Sequence, residues 1–250
     1  IEGYPRGYRV ATNPFTSTRR VAMGLGLPIE LKGLDLIRAW RDKVLSVKPI
    51  APVYVQTGPV KENVIVGKDV DVLKFPTPKW HEFDGGRYIG TGCMVIQKDP
   101  DTGWVNLGTY RSQVVDRDTV TFHSVPGRHG AIIAKKYWDR GLSCPIAMVC
   151  GQGPQLWISA VSPVPIGINE YDWAGGLRKR PVEVVKGETV DLPIPAEAEI
   201  VLEGEMPPPQ TVNASEGPFG EWEGYYSGGK TPHPVIKIKA ILHRNDPIQF

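Results

Sequence analysis

The chain has 250 residues, with 29 Lys and Arg against 27 Asp and Glu, a formal charge of +2, and 41% hydrophobic and 22% charged residues. That profile fits a folded chain of one or two domains and excludes a disordered, collagen-like or membrane-spanning one. The 28 Gly and 24 Pro are spread without a period between short apolar runs, which argues for many turns and against an all-helical bundle.

The chain opens Ile1-Glu2-Gly3-Tyr4-Pro5 without Met or a signal-like apolar run and closes straight after a strand-like run. Both ends are therefore expected to be cuts from a longer polypeptide. Leu34, Ile37, Trp40 and Val44 recur at helical spacing, predicting an amphipathic helix over 31–44 with Asp35 in its first turn. Pro49, Pro52, Pro59, Pro76 and Pro78 then punctuate short apolar runs, and the segment 76–86 is the expected boundary between 1–80, a partial α/β domain, and 81–250. Seven short β-rich runs follow: 88–97, 104–115, 146–150, 156–161, 182–185, 198–202 and 235–242. The first two are joined by Asp99-Pro100-Asp101-Thr102-Gly103, which reads as a hairpin turn because Pro fixes φ, Asp caps and Gly accepts positive φ. Helices are expected over 129–138 and 170–178. The fold class is α+β, a barrel or sandwich of strands with helices between them.

Cys93, Cys144 and Cys150 are odd in number and form no C-x-x-C pair, so neither a disulfide framework nor a zinc-thiolate site is indicated and a reducing, cytoplasmic setting is expected. The basic triplet Arg178-Lys179-Arg180 reads as a solvated face, so no nucleic-acid partner is expected. Gly24-Leu25-Gly26 and Ser227-Gly228-Gly229-Lys230 lack the spacing of phosphate loops, and no G-x-S-x-G elbow is present.

Three constellations remain. The loop Ser215-Glu216-Gly217-Pro218-Phe219-Gly220-Glu221 carries two acids on a backbone restrained by Gly and Pro. It can aim both at one cavity, one acid protonated and one ionised, or it can be a surface turn with two solvated acids. The run 104–111 carries Asn106, Thr109 and Arg111, polar side chains that need partners if buried. A separation of five puts Asn106 and Arg111 on opposite faces of a regular strand, so both reach one ligand only through a bulge, which Gly108 permits. Otherwise Arg111 is an ordinary surface ion pair. Among His81, His123, His129, His233 and His243 no H-x-x-x-H pair occurs, so a metal site would draw ligands distant in sequence.

The strings GWVNLGTYR (103–111), PGRHGA (126–131), EYDWAGGLRKRPVEVVK (170–186), PAEAEIVLEGE (195–205) and EGPFGEWEGYY (216–226) together resemble, in order and spacing, the UbiD family of prenylated-FMN-dependent decarboxylases. The resemblance covers about 19–250. It implies a split β-barrel of the FMN-binding, flavin-reductase-like kind, preceded by an α/β domain and followed by a further α/β domain that this chain is expected to lack. It implies a Mn²⁺ or Mg²⁺ ion held by Asn106, His129 and Glu170 at the cofactor phosphate beside K⁺ or Na⁺. Arg128 and the backbone of Thr109 and Tyr110 are implied along the cofactor. The implied catalytic network is Arg111, Glu216 and Glu221, with Arg111 gripping a carboxylate or holding Glu216 ionised. Glu221, protonated in an apolar pocket, returns a proton to the carbon that lost CO₂, and the flavin acts as electron sink. The expected substrate is an aromatic or α,β-unsaturated carboxylic acid, with CO₂ as the other product. A prenyl-flavin synthase is the implied cofactor supplier, and a homo-oligomer is expected. The alternatives are a catalytically silent flavin-binding module and a flavin reductase, the latter ranked last because hydride transfer needs neither the acid pair nor Arg111. Trp222 and Tyr225 either line an aromatic pocket or pack in the core.

Overall fold

The computed structural model describes residues 3–250; Ile1 and Glu2, at the start of the expected N-terminal segment, lie outside the described residues. The fold is mixed α+β and is organised by one sheet. Its strands are β1 (Asn63–Val66), β2 (Met94–Lys98), β3 (Val105–Gly108), β4 (Thr119–Thr121), β5 (Cys144–Val149), β6 (Ile200–Met206), β7 (Asn213–Glu216) and β8 (Thr231–His243). The order is β7-β8-β6-β5-β2-β3, and the long β8 also pairs with β1 and β4. All of these pairings are antiparallel. Val53–Tyr54 runs parallel to Glu183–Lys186 in a smaller sheet. That pairing and the β1–β8 pairing join residues on either side of residue 80.

Strand periodicity explains how the sheet is buried. Met94, Ile96, Ala147, Val149, Val201 and Leu242 face one core cluster. Their sequence neighbours Val95, Ile146, Met148, Ile200, Leu202 and Ile241 face the other. Both faces are covered, so these strands read as continuous apolar runs rather than alternating ones.

The helices are α1 (Thr18–Leu25), α2 (Gly33–Leu45), α3 (His129–Trp138), α4 (Pro154–Val161) and α5 (Glu170–Arg178). The three expected from periodicity are α2, α3 and α5. In α5 the Asn169 side chain caps the helix by accepting from Tyr171 N–H at 2.9 Å, with Glu170 and Asp172 in the first turn. Of α2 only Leu36 is buried, and Leu34 and Ile37 are exposed.

Three expected strands change. Residues 156–161 form a helix, α4: their Trp, Ile and Val suggested a strand, but Gly153 at the N-cap and Pro154 in the first turn start a helix that buries Leu156, Ser159 and Ala160 at helical spacing. The run 88–97 splits into Tyr88–Gly90 and β2, and 104–115 splits into β3 and Ser112–Gln113. The outer pieces pair with each other, and β2 with β3 forms the hairpin. Its turn is as expected from composition: Asp99 Oδ1 accepts from Asp101 N–H at 2.8 Å and Thr102 N–H at 3.1 Å, and Gly103 has φ +74°.

All three cysteines are free and buried. Burial pushes the Cys93 and Cys144 thiols up to about 12 and raises that of Cys150 as well. Among the described residues no helix is long and apolar enough to cross a membrane.

Candidate active site

The bulge expected at Gly108 is a full break. Strand β3 ends there, Thr109 and Tyr110 lie outside any strand, and Arg111 resumes pairing through an isolated bridge to His123. Tyr110 folds back against the break: a Cβ on Gly108 would lie 2.5 Å from its ring, and its hydroxyl accepts from Gly130 N–H at 2.8 Å. The Tyr110 side chain therefore fastens the start of α3, while Asn106 and Arg111 both line one cavity.

Arg111 meets both acids of the loop after β7. Its Nε donates to Glu216 Oε1 at 2.8 Å, Nη2 to Glu216 Oε2 at 3.2 Å and Nη1 to Glu221 Oε1 at 3.1 Å. The guanidinium lies 4.6 Å over the Phe219 ring, so it is held by a planar fork and a stacking face together. Glu216 is 1% exposed and also accepts from the Tyr88 hydroxyl at 2.8 Å. Burial pushes its carboxyl up, but hydrogen bonds from His123 and Arg111 and the Arg111 charge outweigh that and hold it down at about 2. Glu221 Oε1 takes a second bond, from the Ser227 hydroxyl at 2.5 Å. The apolar surround expected for Glu221 is thus replaced by a cation and a hydroxyl.

Spacing missed two histidines. His123 Nδ1 lies 3.1 Å from Glu216 Oε2, and His233 Nε2 lies 3.6 Å from the same oxygen. The three residues offer ligand atoms within 4.8 Å of one another. A metal ion there would face Arg111 Nη2, 3.4 Å from His123 Nδ1, and like-charge repulsion favours the ion pair. No local motif marks these residues, because strand pairing across β4, β7 and β8 assembles them.

At the other end stand Asn106, His129 and Glu170. Asn106 is 1% exposed, its Oδ1 lies 3.2 Å from His129 Nδ1, and its Nδ2 is buried without a hydrogen-bond partner among the described residues. Glu170, the first residue of α5, is 2% exposed and accepts from Leu107 N–H at 3.0 Å. Burial raises its carboxyl to about 7, and burial followed by the Arg128 charge lowers the His129 imidazole. An amide oxygen, an imidazole and a carboxylate form a donor set for a hard to borderline divalent ion. The orphaned amide N–H fits a phosphate oxygen. The residues present therefore fit a flavin phosphate and its metal.

Both ends line one cavity of about 570 Å³ that includes Asn106, Thr109, Tyr110, Arg111, Arg128, His129, Glu170 and Glu221. Glu216 stands behind Arg111, outside the lining. A neighbouring cavity of about 860 Å³ shares Thr91, Phe219 and Glu221 and carries Phe15, Trp80, Trp157 and Phe250. Trp222 is 87% and Tyr225 56% exposed; neither packs in the core, and Trp222 lines the second cavity.

The profile of the UbiD 3-octaprenyl-4-hydroxybenzoate carboxy-lyase Rift-related domain matches residues 52–250, and the chain belongs to the UbiD family. Among its relatives, pyrrole-2-carboxylic acid decarboxylase of Pseudomonas aeruginosa is 37% identical over 248 residues, covering 99% of this chain and 49% of that protein. A phenolic acid decarboxylase of Bacillus subtilis is 34% identical, covering 99% and 52%. The vanillic acid decarboxylase of Sedimentibacter hydroxybenzoicus in closed form superposes with a TM-score of 0.91 at 36% identity, covering all of this chain and 52% of that one. An evolved dimeric form of the UbiD-class enzyme HmfF from Pelotomaculum thermopropionicum, in complex with prFMN, gives a TM-score of 0.84 at 32% identity, covering 98% and 55%. The chain spans about half the length of these relatives.

Proposed function

We propose that the cavity binds prenylated FMN and that the protein is a carboxy-lyase, catalysing reversible, non-oxidative decarboxylation of an aromatic or α,β-unsaturated carboxylic acid. The observation that carries this reading is a single cavity with Asn106, His129 and Glu170 at one end and Arg111 with Glu221 at the other. On this reading residues 81–250 carry the flavin-binding split β-barrel, to whose sheet β1 adds a strand, and the described residues before 81 are a partial α/β unit. Asn106, His129 and Glu170 hold Mn²⁺ or Mg²⁺ at the phosphate, with K⁺ or Na⁺ beside it, while Arg128 and the backbone of Thr109 and Tyr110 line the cofactor. The protein is a cytoplasmic homo-oligomer supplied by a prenyl-flavin synthase.

When bound, prenylated FMN supplies the sink for the electron pair that the departing CO₂ leaves behind. Arg111 orients the substrate carboxylate and keeps Glu216 ionised. Glu221 delivers a proton to the carbon that lost CO₂ and takes one back from it in the reverse direction. Its Oε1 is engaged by Arg111 and Ser227, which leaves Oε2 outside those two bonds.

Co-expression with a prenyl-flavin synthase, followed by absorbance spectroscopy and metal analysis, tests the reading. The expected result is bound flavin and about one manganese per chain, both lost in an Asn106→Ala/His129→Ala variant, and CO₂ release from members of a carboxylic-acid panel. A colourless, metal-free protein overturns it.

A further inference from the structure

The segment 76–86, expected as a domain boundary, lies against the acid loop. Asp84 is 4% exposed, and its two oxygens each accept one backbone N–H: Oδ1 from Gly220 at 2.7 Å and Oδ2 from His81 at 2.9 Å. Among the described residues it forms no ion pair with a Lys or Arg; the His81 Nδ1 is 3.7 Å away on a side chain that is 45% exposed. A buried carboxyl group without a Lys or Arg partner is costly unless backbone donors satisfy it, and one of these donors belongs to the residue before Glu221.

The neighbouring residues reinforce the contact. Gly85 N–H donates to the Pro218 carbonyl at 2.7 Å, and a Cβ on Gly85 would run into the Gly217 carbonyl, so the two backbones touch. Phe83 N–H donates to the Tyr226 hydroxyl at 3.1 Å. Tyr226 pairs with Gly220 in a ladder of two residues a side, and Glu221 N–H donates to the Tyr225 carbonyl at 2.8 Å. So short a ladder is weak alone. Glu216 is fixed separately by Arg111 and Tyr88.

We propose that Asp84 is a positioning residue for Glu221: by holding Gly220 N–H it sets where the second acid stands relative to Arg111 and Glu216. The inference rests on the reading of Glu221 as the proton donor. Asp84 touches neither the cavity nor a reacting atom, and it acts through one peptide group.

Asp84→Asn is the discriminating variant, since it keeps shape and volume but can accept only one of the two N–H groups and turns a donor toward the other. Amide hydrogen exchange in the FMN-loaded chain is expected to show a protected Gly220 N–H in the wild type. In the variant, exchange over 216–227 should speed up at least about tenfold while β5 and β6 keep their protection. With prenylated FMN loaded, kcat should fall roughly ten- to hundredfold with KM within about twofold, since the binding end is untouched. An unprotected wild-type Gly220, unchanged exchange in the variant, or equal acceleration throughout β5 and β6 overturns the proposal. If Asp84→Asn fails to fold, wild-type Gly220 protection together with Asp84→Ala decides it. Failure of the wild type to decarboxylate any acid overturns the functional reading instead, and the exchange result then stands or falls separately.

Discussion

Arg111 and Glu216, 105 residues apart in sequence, close a two-pronged ion pair with Nε–Oε1 at 2.8 Å and Nη2–Oε2 at 3.2 Å. The carboxylate is 1% exposed, so the pair lies where removing one partner leaves an uncompensated charge. Arg111→Ala is expected to destabilise the fold by about 3–5 kcal/mol. Arg111→Lys should recover only part of this, because an ammonium cannot reproduce the fork or the stacking on Phe219. Urea unfolding of the two variants measures both effects, and equal stability of Arg111→Lys and wild type contradicts the account.

The same pair sets a pH dependence. Glu216 titrates at about 2 in the folded chain against an ordinary 4.5, so the unfolded chain binds more protons between those values. Its stabilising contribution is therefore complete above pH 4.5 and lost as pH falls through 2. It amounts to about 3 kcal/mol on this shift. Unfolding midpoints from pH 6 to pH 2.5 should fall more steeply for the wild type than for Glu216→Gln; parallel curves refute the assignment.

Glu221→Gln separates proton delivery from binding. The amide keeps an oxygen for Arg111 and Ser227 but has no transferable proton. Flavin and metal content should stay within about twofold of wild type while turnover drops by at least about 100-fold. Undiminished turnover removes Glu221 from the mechanism.

Metal binding should be visible without any turnover assay. If Asn106, His129 and Glu170 hold the ion, Mn²⁺ at about one hundred times its Kd stabilises the flavin-loaded protein by about 2.7 kcal/mol. Differential scanning fluorimetry should show that shift in the wild type and lose it in Asn106→Ala. A shift retained there but abolished in His233→Ala would instead move the ion to the His123–Glu216–His233 cluster.

Much of the fold was legible locally. The 3.6 period and Asp35 in the first turn located α2, and Asp99 to Gly103 announced its hairpin. The 156–161 run misled because β-branched and aromatic residues outweighed Pro154, a helix-start signal present in the sequence. At the site, the five matched strings brought forward Arg111, Glu216 and Glu221, whose side chains do meet, and Asn106 with His129. His123, His233, Tyr88 and Asp84 carried no such mark. Each reaches the acids through strand pairing or a loop contact far along the chain, and no spacing rule encodes that. The surround of Glu221 was misjudged for a local reason: the two-residue ladder folds Ser227, six residues on, back onto its carboxylate.

The burial of Cys93, Cys144 and Cys150, with thiols held in their protonated form, makes the native chain almost inert to maleimides and iodoacetamides. A cysteine introduced at exposed Trp222 would then be the sole labelling point, close beside Glu221. A fluorophore there becomes a molecular ruler to a bound flavin, whose own absorption quenches it, and cofactor capture can be followed in real time in an otherwise wild-type background.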